Sequence, residues 1–284
     1  MIVVTGATGQ LGRLVINKLL QTVPAGNIIA RARDPAKAAD LAALGVQVRQ
    51  ADYTEPATLD AALAGAQKLL LISSSEVGQR VAQHRAVIDA AVRARVALLA
   101  YTSLLHADTS PLGLAIEHKG TEAMLKASGL PFVLLRNGWY TENYAASVPA
   151  ALAHGAVIGS AGEGRIASAA RADYAAAAAA VLTGADQAGR VYELAGDTAY
   201  TLAEFAAEIA RQSGKAVVYK NLPEADHQAA LVGFGLPQPL AAMLADSDVG
   251  ASKAALFDTG RQLSALIGRA TTPLRDTVAA ALKG

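Results

Sequence analysis

The densest chemical signal lies at the start of the chain. Thr5-Gly6-Ala7-Thr8-Gly9-Gln10-Leu11-Gly12 spaces its glycines three apart, directly after Val3-Val4 and directly before the amphipathic run Leu11…Val15-Ile16…Leu19-Leu20. Gly6 permits a tight turn, Gly9 lets a phosphate approach the backbone with no Cβ in the way, and Gly12 lets a helix pack close on a strand. Free N–H groups and the dipole at the helix start then attract anionic oxygens. In this strand–turn–helix context the spacing predicts a dinucleotide-binding loop.

Which dinucleotide is decided at the end of the second apolar run. Folds specific for NAD place an acid there to bind the ribose diol. Here the run Asn27–Arg33 ends in Arg31 and Arg33, followed by Asp34-Pro35, with Lys37 one helical turn beyond. An arginine makes charge-assisted, often bidentate contacts with a phosphate. Asp34 is better explained as the cap of a helix opening at Pro35. The expected cofactor is therefore NADP(H), with Arg33 on its 2′-phosphate.

Other chemistries find little support. The chain has no cysteine, which excludes thiolate metal sites, iron–sulfur clusters and a Cys nucleophile. His84, His106, His154 and His227 lack a spacing such as His-Glu-x-x-His, so no metal is expected. Gly-x-Ser-x-Gly is absent, against an α/β-hydrolase. Glu117 and Glu122 read as a solvated helix face, and Asp246-Ser247-Asp248 as a loop.

These residues need a scaffold. Candidate strands are Ile2–Thr5, Asn27–Arg33, Val46–Gln50, Lys68–Ile72, Leu98–Thr102 and Phe132–Asn137. Helical patterns lie between them at Gln10–Leu20, Pro35–Leu44, Pro56–Leu63, Val77–Arg93 and Leu114–Ser128. This alternation predicts an α/β fold, a Rossmann-type doubly wound parallel sheet. Continuous apolar runs such as Leu69-Leu70-Leu71-Ile72 suit strands covered on both faces. Beyond residue 138 the rhythm loosens into short apolar segments and helices such as Ala172–Leu182, Leu202–Arg211 and Pro239–Leu244. The expected organisation is a dinucleotide-binding domain over 1–150, with room for later segments to return to it, and a smaller C-terminal α/β lobe over 151–284. The 284 residues are 52% hydrophobic and 17% charged, which excludes a disordered chain. A net charge of +1 gives no basic field for nucleic acid or anionic lipid, so neither partner is expected. No long apolar run predicts a membrane span, and MIVVTGATGQ has no basic stretch ahead of an apolar one, so a cytoplasmic protein without a secretory leader is expected, as monomer or homodimer.

Several longer segments then carry a family resemblance. TGATGQLG, RDPAK, ISSS at 72–75, YTSLLHADTSPLGLA from Tyr101 and LRNGWYTENY at 135–144 occur in this order. Together they resemble the NmrA-like branch of the atypical short-chain dehydrogenases, over essentially the whole chain. The resemblance implies a Rossmann-type sheet, a small lobe and a cleft between them. It implies that Gly6, Ala7, Thr8, Gly9, Gln10 and Leu11 contact the pyrophosphate and Arg33 the adenosine phosphate. It implies that Ser73, Ser74 and Ser75 line the cofactor's middle. Asn137, Gly138, Trp139, Tyr140, Thr141 and Glu142 would stand beside the nicotinamide, with Arg171 reaching toward the cleft. Arg31 departs from the aliphatic residue expected inside its strand and adds a second cation.

The same alignment exposes a missing acid. Many short-chain dehydrogenases use a serine and Tyr-x-x-x-Lys, the lysine lowering the tyrosine pKa. Ser103 is the candidate serine, but Leu114 stands at the tyrosine, His118 at the lysine, and Lys119 is one residue out, about 100° round a helix. Reducing a simple ketone leaves an alkoxide whose conjugate acid has a pKa of roughly 16, taking water as the guide. Reducing a quinone leaves a phenolate near 10 on the tyrosine scale, a difference worth on the order of 8 kcal/mol. The expected activity is thus NADPH-dependent hydride transfer to a small quinone-like acceptor, with Asn137, Tyr140 and His118 as catalytic candidates. A nucleotide-sensing regulator without turnover, or a reductase for another acceptor (a carbonyl or alcohol, an imine, a triarylmethane dye), stands as the alternative.

Overall fold

Apolar runs that bury on both faces build the sheet. The structure, a computed structural model, describes residues 1–76 and 78–283. Its strands are Ile2–Val4 (β1), Ile28–Ala32 (β2), Gln47–Gln50 (β3), Lys68–Leu71 (β4), Leu98–Leu104 (β5), Phe132–Asn137 (β6), Ala156–Gly159 (β7), Val191–Leu194 (β8) and Val218–Asn221 (β9). Seven of them form one sheet in the order β3-β2-β1-β4-β5-β6-β8, and β7 pairs with β9 in a second. Neighbours from β3 to β6 run parallel, with Val4 opposite both Ala30 and Leu70. The order reverses direction between β1 and β4. At such a switch point the loops leaving the two strands part and open a crevice for ligands.

The helices are Gln10–Leu19 (α1), Ala39–Ala43 (α2), Pro56–Leu63 (α3), Arg80–Arg93 (α4), Ala115–Ala127 (α5), Thr141–Ala145 (α6), Val148–His154 (α7), Arg171–Thr183 (α8), Leu202–Ser213 (α9), Glu224–Gly233 (α10), Gln238–Ser252 (α11), Gln262–Ile267 (α12) and Leu274–Ala281 (α13). α1 buries Leu11, Val15, Ile16 and Leu19, one stripe at helical spacing. The helix expected over Pro35–Leu44 divides into a 3₁₀ turn, Pro35–Ala38, and α2. Asp34 caps that turn, accepting from the Ala36 N–H at 3.0 Å. The expected helical start at Val77 lies outside the described residues, and α4 begins at Arg80.

The chain divides into two compact units. The first comprises Met1–Ala107, Ile116–Asn137 and Arg171–Tyr192; the second comprises Asp108–Ala115, Gly138–Ala170 and Glu193–Gly284. The first holds the sheet from β1 to β6, with a core that includes Val3, Ile29, Leu69, Val87, Tyr101 and Leu134. Its last segment contributes α8, whose alanines bury against α1. The second unit builds around β7, β9 and α9. A reciprocal capping box of Thr201 and Glu204 opens α9, and its Phe205 ring packs near Tyr144 and Tyr200.

Candidate active site

Within the first unit, the glycine loop leaves β1 and enters α1. Gly6 takes φ +57°, where a side chain is disfavoured. A Cβ on Gly12 would stand 2.8 Å from the Ala7 Cα, and one on Gly9 would press on the Gly6 oxygen at 3.2 Å. Ala7 and Leu11 turn their side chains into the core, so the loop presents backbone outward, with Thr8 part-exposed and Gly9 and Gln10 exposed. α1 has no side-chain cap at Gly9. The first-turn N–H groups of a helix have no intrahelical partners, so here they are open to an anion. This cradle, which a Cβ would fill, fits a dinucleotide pyrophosphate.

The segment after β4 is held by side chains gripping three consecutive backbone N–H groups. Ile72 donates to Thr5 Oγ1 at 3.0 Å, Ser73 to Thr102 Oγ1 at 2.8 Å and Ser74 to His84 Nε2 at 3.0 Å. Because Nε2 accepts, the proton of His84 sits on Nδ1, which faces Thr121 Oγ1 at 2.9 Å. Burial, then the nearby Arg80 charge, pushes the His84 pKa down to about 3. Arg80 Nε donates to the Ser74 carbonyl at 2.6 Å and its guanidinium pairs with Glu117 at 3.1 Å. Ser73 and Ser74 are half-buried and Ser75 exposed, so this strip offers hydroxyls beside the glycine loop.

At the end of β2, Arg33 is largely exposed and pairs with Glu76 at 3.3 Å. Arg31 is buried, its guanidinium 3.8 Å over the Tyr53 ring. Lys37 is exposed, and its carbonyl accepts from Arg13 at 2.6 Å.

α5 carries no tyrosine. Leu114 precedes the helix and Lys119 is exposed. His118 is buried, with Nδ1 at 2.7 Å from the Tyr101 hydroxyl. Burial, then Arg80 and His84, pushes its pKa down to about 3, so it is neutral at pH 7. Tyr101 is fully buried and its pKa is raised by that burial, so its hydroxyl is no substitute acid. Ser103 donates to Glu122 at 2.6 Å, and Arg136 grips both oxygens of the same carboxylate at 2.9 and 2.8 Å.

The solvated face expected for Glu117 and Glu122 is therefore wrong. Glu122 is buried in an ion pair, and Glu117 holds Arg80 and the Gly78 N–H. The charges that a helix pattern assigns to water are taken by cations far along the chain. At the end of β6, Asn137 is buried and its Oδ1 has no hydrogen-bond partner among the described residues. That orphaned acceptor suits an amide N–H donor such as the nicotinamide carboxamide.

The remaining predicted residues lie in the second unit, except Arg171, which opens α8 in the first. Gly138 donates to the Leu194 carbonyl at 2.7 Å, and Tyr140 bridges to Ala169. Thr141 donates its N–H to Ala169 at 2.9 Å and its hydroxyl lies 2.8 Å from Ser168 Oγ, so it is engaged in holding its own backbone. Trp139 is buried, its ring 6.2 Å from Tyr144, and Glu142 is half-buried in the first turn of α6.

Asp246-Ser247-Asp248 is not a loop but part of α11. Asp248 is buried there, accepting from Tyr144 at 2.8 Å and the Ser160 N–H at 2.9 Å. Ser160 Oγ and Asp248 Oδ2 approach the same nitrogen of His227, Nδ1, at 3.3 and 3.6 Å. A hydrolytic relay needs them on opposite nitrogens. Sequence reasoning missed Thr5, Thr102 and His84 as holders of the β4 loop. A threonine directly after β1 and another within β5, the two strands flanking β4, were the available signal. Among the described residues, no helix is long and apolar enough to cross a membrane.

Comparison with known proteins agrees with this geometry. The model of a family described as NAD(P)H-binding matches residues 6–185. The chain is 64% identical to quinone oxidoreductase 2 of Escherichia coli K12 over 278 residues, 98% of this chain and 97% of that protein. It superposes with a TM-score of 0.97 on the crystal structure of the NADPH-dependent quinone oxidoreductase from E. coli complexed with NADPH, at 63% identity, covering 99% of this chain and all of the other. Triphenylmethane reductase from Citrobacter sp., complexed with NADP(H), gives a TM-score of 0.95 at 38% identity, covering 99% of this chain and 100% of that one. The glycine loop, the parallel sheet and these likenesses agree: the chain belongs to the NAD(P)H-binding family, as an oxidoreductase that uses NADP(H).

Proposed function

We propose that this protein reduces quinones at the expense of NADPH. The carrying observation is the absence of a competent acid on α5, where His118 is neutral and bonded to Tyr101 while Tyr101 itself is sealed in the core. The naming of the E. coli relatives as quinone oxidoreductases supports the reading. A quinone accepts electrons without needing a strong acid, because its product oxygen is a phenolate of pKa about 10.

The chain's own groups then have defined tasks. The backbone of Gly6–Leu11 and the open first turn of α1 hold the pyrophosphate. Arg33 exchanges Glu76 for the 2′-phosphate. The hydroxyls of Ser73, Ser74 and Ser75 border the cofactor's middle. Asn137 Oδ1 accepts from the carboxamide and fixes the nicotinamide face. NADPH, when bound, supplies the hydride. His118 contributes as a neutral partner of Tyr101 rather than as a proton donor. Positioning supplies most of the rate.

The test is steady-state NADPH oxidation against benzoquinones, naphthoquinones, unactivated ketones and triarylmethane dyes. Quinones should turn over at least ~100-fold faster than ketones, a small part of the acid-strength gap. Binding of NADPH with no oxidation across the panel would replace the reductase with a nucleotide sensor. Equal rates on ketones would mean that a proton donor operates after all.

A further inference from the structure

We infer that Arg31 is a second cationic anchor for the adenosine 2′-phosphate of NADPH, acting beside Arg33 and braced by Tyr53. The inference rests on the NADPH reading and adds to it a residue and a charge count. β2 otherwise reads Ile28, Ile29, Ala30 and Ala32, all buried. An arginine within such a strand carries a heavy desolvation penalty, which a charged group recovers only through good partners. In this structure Arg31 has few. Its Nε is buried with no hydrogen-bond partner, and the Tyr53 ring lies under the guanidinium at 3.8 Å. Among the described residues no carboxylate is within ion-pair distance. Asp52, a carboxylate that acts on Arg31 electrostatically, already accepts from the Thr54 N–H at 2.8 Å and the Thr54 hydroxyl at 2.7 Å. Burial holds the Arg31 pKa below its ordinary value, the electrostatic mark of an undercompensated cation.

Position decides what would compensate it. Side chains alternate along a strand, so Arg31 and Arg33 leave the backbone on the same side. Arg31 is level with Arg49 of β3, and the chain leaving β3 supplies Asp52 and Tyr53. This is the C-terminal end of the second strand, where a Rossmann-type fold receives the adenosine ribose. A 2′-phosphate carries close to two negative charges at pH 7. One exposed arginine, itself paired with Glu76, balances half of that; Arg31 supplies the other half. The Tyr53 face orients the guanidinium plane, and its edge remains for oxygen ligands.

The test is calorimetric titration of the apoprotein with NADPH, NADH, 2′,5′-ADP and 5′-AMP, on wild type, Arg31→Met, Arg31→Lys and Arg33→Ala. Arg31→Met should weaken NADPH and 2′,5′-ADP on the order of tenfold or more, and leave NADH and 5′-AMP within about twofold. Arg31→Lys should recover part of the loss. The apo melting temperature of Arg31→Met should hold or rise, since an uncompensated cation leaves the interior. Unchanged NADPH affinity in Arg31→Met would overturn the inference, as would an equal loss of NADPH and NADH, which would make Arg31 a structural prop. In both cases a wild-type preference for NADPH that Arg33→Ala removes would leave the cofactor reading standing. A wild type without that preference would sink both.

Discussion

Asn137 and His118 are both buried polar residues, yet they promise different consequences. Asn137 keeps an acceptor oxygen with no partner, and the Tyr101 hydroxyl satisfies one ring nitrogen of His118. Asn137→Ala should lower kcat on a quinone by about tenfold or more, by loosening the nicotinamide. His118→Gln should change it by less than about tenfold, and neither kcat nor kcat/KM should titrate between pH 6 and 8. Stopped-flow rates, with melting curves to confirm folding, test both. A histidine-like inflection lost in His118→Gln would make that residue an acid. At this scale the sequence was informative wherever a residue type encodes backbone geometry. Gly6 and Gly12 were readable because only glycine fits their positions. The roles of Glu117 and Glu122 were not, because their partners Arg80 and Arg136 come from a helix and a strand elsewhere in the chain, and helical spacing cannot reveal a cation on another element.

Elements were readable where one physical requirement dominates. The apolar run Phe132–Asn137 and the helix Pro56–Leu63 have the predicted boundaries. Leu98–Leu104 extends two residues beyond the expected strand, because Ser103 and Leu104 keep pairing with Arg136 and Asn137. α11 begins at Gln238 and runs to Ser252, far beyond the Pro239–Leu244 pattern. Its buried Asp248 breaks the apolar periodicity by which helices are recognised. The Ser103–Glu122–Arg136 cluster joins β5, β6 and α5, so it should bear on stability rather than catalysis. Glu122→Gln leaves the Arg136 guanidinium facing a neutral amide. Losing one member of a buried pair costs about 3–5 kcal/mol. Urea unfolding should show a loss of that size with the quinone KM of the folded fraction unchanged; a loss below about 1 kcal/mol would mean the pair is dispensable.

For the molecule as a whole, two of the three histidines buried among the described residues, His84 and His118, set an acid limit. His84 and His118 have folded pKa values near 3, far below the unfolded value of about 6.5. Their contribution is fully present above pH 6.5 and is lost as pH falls toward 3, because the unfolded chain takes up protons that the folded one refuses. At ~1.36 kcal/mol per unit per histidine, going from pH 7.5 to 5.5 should cost about 3 kcal/mol. Denaturant midpoints at the two pH values check this, and a flat profile would show that the histidines are hydrated. The interleaving of the two units was partly hidden in the sequence. The pattern Ala172–Leu182 announced a helix, but not that its alanines bury against α1 in the first unit. Alanine permits close helix approach without specifying the partner.

The grip of Thr5, Thr102 and His84 on the amides of Ile72, Ser73 and Ser74 has a kinetic consequence. Those N–H groups are satisfied before any ligand arrives, so the loop need not surrender conformational freedom when the cofactor docks. Their protons should exchange slowly with deuterated solvent in the apoprotein and change little on saturation with NADPH. The exposed amide of Gln10, at the start of α1 and lacking a side-chain cap, should go from fast to protected, while the Gly9 N–H already donates to the Gly6 carbonyl at 2.9 Å. Association should then proceed as capture by a preformed surface, with a rate linear in cofactor concentration and no slow ordering phase.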